Sequence, residues 1–167
     1  MKISTKKLVF LSVFAALAMV LSYIELLLPP IWSAVPGIKV GLPNIVIIFL
    51  LYKFSIKEAA VVSIIRLLTT VLLFGNALTL LYSFAGAVLS IFTMWILKKL
   101  NLFSQVGVSI AGGVTHNLGQ ILVAIVVLAT KEIGYYMIVL SITGTIAGIF
   151  VGIAGILLLK YTAKIKL

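Results

Sequence analysis

Cysteine and aspartate are both missing from this 167-residue chain, which also holds a single histidine and a single arginine. Without cysteine there is no disulfide framework, thiolate nucleophile or thiolate metal site. The three acidic residues are Glu25, Glu58 and Glu132, far apart in sequence. Magnesium-dependent chemistry on diphosphates draws on several carboxylates around the ion, and no such cluster exists here. No phosphate-binding loop of the GxxxxGK[ST] type is present, so the chain does not hydrolyse nucleotides by itself. His116 among scattered serines is weak support for a nucleophilic triad. The expectation is a non-enzyme with no metal, cofactor or catalytic residue.

Charge is scarce as well, at 10% of residues against 63% hydrophobic, and the mean hydropathy is +1.35. A soluble domain is about half apolar and about a quarter charged, so this chain has too little polar surface to cover a globule. The length suits one domain, residues 1–167, with no separate soluble module. A net charge of +10 raises nucleic acid as a partner. The lysines, however, sit at the ends of apolar runs rather than in a basic stripe with aromatics, which argues against it. The lipid bilayer is the expected environment.

Apolar runs occupy residues 8–28, 42–52, 58–74, 78–97, 105–130 and 135–161. Spanning takes about 20 such residues, so the second run is short. Ala16-Leu17-Ala18 resembles a signal-peptidase site, but the run continues to residue 28 and is read as a retained helix. Between the first two runs, the segment 29–41 carries Pro29, Pro30, Pro36, Gly37 and Gly41. That density breaks helices and predicts an irregular, lid-like outer loop. Under six spans, ten lysines (2, 6, 7, 53, 57, 98, 99, 160, 164 and 166) share the side of both termini, and two (Lys39 and Lys131) lie opposite. That bias places both termini in the cytoplasm of a multi-pass membrane protein.

Polar side chains at bilayer depth mark sites by default. Arg66 lies midway along the third run, near Ser63, Thr69 and Thr70, and wants an anionic partner such as Glu25 or a bound anion. His116 and Gln120 are four residues apart on one helix face, with Asn117 beside them. Glu25 stands near the outer end of the first run. Lys39 belongs to the loop, Asn44 opens the second helix and Asn76 caps the third connection. These eight residues, Glu25, Lys39, Asn44, Arg66, Asn76, His116, Asn117 and Gln120, form the candidate pocket for a small molecule. The plainer alternative is an internal salt bridge with interhelical hydrogen bonds.

Small residues recur at helical spacing: Gly144, Gly148 and Gly152, then Ser12 and Ala16, Ala18 and Ser22, and Ser83, Gly86, Ala87 and Ser90. Such rows let helices approach in lipid. Most suit packing within one bundle, while Ser12 and Ala16 could dock a partner membrane protein. No repeat relates the two halves, as many secondary transporters have, and no ring of charges suggests a channel. A substrate-binding membrane subunit energised by another protein fits best.

Glu25, Pro29 and the run Pro36-Gly37-Ile38-Lys39-Val40-Gly41-Leu42-Pro43-Asn44-Ile45 are followed by Arg66, Phe74-Gly75-Asn76, Tyr82 to Ala87 and Gly112-Gly113 with His116 to Gln120. In that order they resemble the Gx transporter family, often labelled heptaprenyl diphosphate synthase component I, over roughly residues 8–160. The resemblance implies a fold similar to the substrate-specific S components of energy-coupling-factor transporters. Those have six helices, cytoplasmic termini and an outward pocket under the first outer loop. It further implies a coupling protein and two ATPases as partners, docked through small residues on the first helix, where Ser12 and Ala16 stand. The substrate would be a vitamin-like or anionic molecule taken up from outside. The family label implies instead an accessory of isoprenoid or quinone synthesis, and the family's associations a membrane partner of a flavin-dependent electron-transfer system.

Overall fold

A computed structural model describes residues 4–27, 41–129 and 131–165. Six α-helices run through them: α1 (Thr5–Leu27), α2 (Asn44–Lys53), α3 (Ile56–Phe74), α4 (Ala77–Leu100), α5 (Gln105–Leu128) and α6 (Tyr136–Tyr161), the last preceded by a 3-10 turn at Lys131–Tyr135. The elements lie within a few residues of the expected runs. The turn precedes the sixth run, which coincides with α6 from Tyr136, and the fifth helix stops at Leu128. Most of the expected lid, with Lys39, falls outside the described residues.

Six helices do not amount to six demonstrated spans. Four elements are long and apolar enough to cross a membrane: α1, α4, α5 and the turn with α6, Lys131–Tyr161. At 10 residues, α2 is about 15 Å long, half the ~30 Å hydrocarbon thickness. Lys57, Glu58 and Arg66 interrupt the apolarity of α3.

Local chemistry sets the helix ends. Ser55 starts α3 by accepting from the Lys57 amide at 3.2 Å while its hydroxyl donates to Glu58, a close relative of the capping box. The Asn76 side chain accepts from the Thr79 amide at 2.8 Å at the start of α4, and Ser104 accepts from Gly107 at 3.2 Å at the start of α5. Asn101 closes α4 in the left-handed conformation, φ 53°, which asparagine tolerates.

One end of the bundle gathers the lysines, as the charge count requires. Lys7 at the start of α1 pairs with Glu58 at the start of α3 at 2.5 Å. Lys53 at the end of α2 donates to the Thr162 carbonyl just past α6 at 2.9 Å. Lys98 near the end of α4 donates to the Leu51 carbonyl at 2.6 Å. The helices therefore alternate in direction, and both ends of the described chain lie at this lysine end.

The core is built around the short helix. Residues 46–51 of α2 are all buried, and Phe49 stacks on Phe14 of α1 with ring centroids 4.6 Å apart. On α1 the buried residues are Phe10, Phe14, Ala18 and Ser22, every fourth position and so one stripe. The opposite surface of the bundle is apolar, with Leu72 83% and Val126 79% exposed. Water would not tolerate that surface, whereas lipid matches it. The chain is a multi-pass membrane protein.

Candidate functional site

Toward the end of the bundle away from the lysines, the helices part around a cavity of ≈ 190 Å³. Its wall takes residues from all six helices, and seven of the eight candidate residues line it: Glu25, Asn44, Arg66, Asn76, His116, Asn117 and Gln120. Lys39 lies outside the described residues.

Arg66 dominates the cavity electrostatically. Eleven residues into α3, it is only 8% exposed. Its Nη1 donates to Ser22 Oγ at 3.4 Å, a long bond, and its buried Nε has no hydrogen-bond partner. The carboxylate of Glu25 acts on it through space. Glu25 also accepts a short hydrogen bond from the Gly41 amide, tying α1 to the chain that leads into α2. Gly41 has φ +76°, a backbone that side chains disfavour.

The other candidates divide into structural and unassigned groups. Asn76 uses its side-chain oxygen to cap α4, accepting from both Thr79 Nα and Thr79 Oγ1. Asn117 donates across helices to the Leu140 carbonyl of α6 at 2.7 Å, as the plainer interhelical alternative had it. His116 packs on Gly86 of α4, where a Cβ would stand 2.8 Å from the His116 carbonyl. Asn44 opens α2 beside Gly41, and Gln120 continues the His116 face of α5.

Sequence reasoning passed over several wall residues. Ser22, Ser83 and Ser90 were grouped with the packing rows, Thr70 served only as a neighbour of Arg66, and Ser109 was not noticed, yet all five line the cavity. Extending the His116–Gln120 face back by its 3–4 spacing reaches Gly112 and Ser109, so that signal was available. Buried and without partners are the hydroxyls of Thr70 and Ser109. Gly144 and Gly148 also line the wall while packing closely: a Cβ on Gly113 would meet the Gly144 carbonyl at 2.5 Å, and one on Gly148 the Ile110 Cα at 2.6 Å.

The Ser12 and Ala16 row faces outward from α1, opposite the buried stripe. Among the described residues no three His, Cys, Asp or Glu side chains converge as a metal site. Among the described residues the cavity thus offers one guanidinium, one carboxylate, an imidazole, amides and hydroxyls, a set suited to recognition by charge and hydrogen bonding.

A family model described as heptaprenyl diphosphate synthase component I matches residues 14–158. No curated protein and no solved structure matches the chain.

Proposed function

The chain belongs to the heptaprenyl diphosphate synthase component I family, and from that premise we propose that its part is binding: a non-catalytic membrane subunit that captures a small anionic molecule around Arg66. The observation that carries this reading is the Arg66 guanidinium, 8% exposed on a cavity wall with its Nε unbonded. A buried charge left short of hydrogen bonds costs several kcal/mol, and an arriving anion would supply the missing contacts.

In this reading all six helices pass through the bilayer region, with α2 as a half-length core element and Arg66 shielded from lipid. The lysine end faces the cytoplasm of a bacterial plasma membrane, and the cavity faces outward. Transport then follows from reorientation driven by partner subunits, as in energy-coupling-factor systems. A coupling protein would dock on the outward Ser12–Ala16 row, and two ATPases would supply the energy. The family description favours a second reading. A first component implies another component, and the chain would then be the membrane accessory of a prenyl diphosphate synthase.

The test is to purify the protein in nanodiscs without added ligand and identify retained small molecules by mass spectrometry. Wild type should carry an anion that Arg66→Gln loses. Equal retention by both proteins would refute capture at Arg66. Partners that co-purify separate the two readings: a coupling protein with ATPases supports uptake, and a soluble prenyl synthase supports the accessory role.

A further inference from the structure

Resting on that capture reading, the charge balance of the cavity narrows the ligand. We infer that the cavity takes a compact, singly charged anion, a monocarboxylate, which displaces Glu25 as counter-ion of Arg66, and that it does not hold a diphosphate.

Arg66 and Glu25 are the charged side chains among the described residues that line the cavity, and at unit charge they cancel. A singly charged anion that takes over Arg66 leaves one net negative charge to be absorbed by amides and hydroxyls. A diphosphate would set several negative charges beside one guanidinium and one carboxylate. Proteins hold such groups with metal ions, several cations or free amides at a helix start. Among the described residues the cavity wall holds no second cation, and at the start of α4 the Thr79 amide is already taken by the Asn76 side chain at 2.8 Å. No carboxylate cluster binds a metal there. The first amides of α2, which opens at the cavity, are already bonded: Asn44 to Gly41, Ile45 to Leu42 and Val46 to Pro43, at 2.9, 3.2 and 3.1 Å.

Shape agrees with charge. A carboxylate is flat and two-pronged, and it matches a guanidinium edge such as the one carrying the unbonded Nε. The ≈ 190 Å³ cavity is smaller than the ~300–1,000 Å³ of drug-sized ligand sites. Glu25 already supplies a carboxylate to the field of Arg66 and is held in place by the Gly41 amide. An incoming carboxylate therefore reproduces an interaction that Arg66 makes with a residue of its own chain. Like charges so close repel, so Glu25 opposes the ligand and sets a ceiling on its affinity.

Arg66 is the only arginine in the chain, so phenylglyoxal labelling, read by intact mass and peptide mapping, reports one site. The protein in nanodiscs should form an adduct at Arg66 that Arg66→Lys abolishes. Benzoate should slow the reaction, and inorganic pyrophosphate at matched ionic strength should not. Glu25→Gln keeps an acceptor oxygen for the Gly41 amide and removes only the charge. It should lower the benzoate concentration for half-protection about tenfold. Protection by pyrophosphate at lower concentration than benzoate would overturn the charge class while leaving capture at Arg66 intact. Weaker benzoate protection in Glu25→Gln would overturn the counter-ion exchange. An Arg66 that does not react, or whose reaction neither anion slows, would overturn both this inference and the capture reading.

Discussion

Arg66 of α3 reaches Ser22 of α1 through a 3.4 Å contact from Nη1 to Oγ, and Ser22 Oγ in turn donates to the Ala18 carbonyl at 2.9 Å. The hydroxyl is thus turned to receive the guanidinium while its own proton is spent on its helix. One long bond does not offset the desolvation of a guanidinium that is 8% exposed.

Replacing Arg66 with methionine and Glu25 with glutamine together should therefore raise thermal stability while ligand retention is lost. Replacing a buried ion pair as a whole, so that neither charge is left alone, is often neutral or stabilising, by about 1–4 kcal/mol. Thermal denaturation in detergent, beside mass spectrometry of retained ligand, checks both halves. A lower melting temperature would mean that Arg66 and Glu25 hold the bundle together.

The α5–α6 seam predicts a graded series. Gly113→Ala and Gly148→Ala drive a methyl into backbone at 2.5 and 2.6 Å and should each cost about 1–3 kcal/mol. Gly134→Ala, whose nearest neighbour is a side-chain atom at 3.8 Å, should change little. Melting temperatures of the three variants, ranked, test the seam.

Ala129 ends α5 in the left-handed conformation at φ 50°. A side chain there costs roughly 1–2 kcal/mol relative to glycine. Ala129→Gly should stabilise the protein by about 1 kcal/mol, seen as a higher melting temperature.

Whether α5 and α6 cross can be read directly because the chain has no cysteine. Single cysteines at Asn101 and Lys164 should react with an impermeant maleimide only after cells are permeabilised. One at Glu132 should react in intact cells. Equal labelling of Asn101 and Glu132 positions would mean that α5 does not cross.

What the sequence made legible follows from how locally each feature is encoded. Helix positions, the lysine end and the convergence of Arg66 with Glu25 and His116 were readable, since apolar runs and isolated charges at bilayer depth have few meanings. The double duty of Gly144 and Gly148 was not, because a glycine row looks the same whether it faces a helix or a void. Asn117 and Asn76 share that ambiguity. A lone amide reads as a pocket residue until its partner, the Leu140 carbonyl or the Thr79 amide, is seen. Six helices were legible as apolar runs, and four elements are long and apolar enough to cross a membrane; α2 is short, and Lys57, Glu58 and Arg66 lower the apolarity of α3.

The short helix has a consequence for biogenesis. At about 15 Å, α2 cannot partition into lipid on its own account as a longer apolar segment does. It must wait for a groove formed by other helices, including α6, whose chain end holds Lys53. The sixth helix thus completes the shelter of the second. A chain cut short before α6 should leave residues 46–51 uncovered and be marked for degradation, however well its first helices insert.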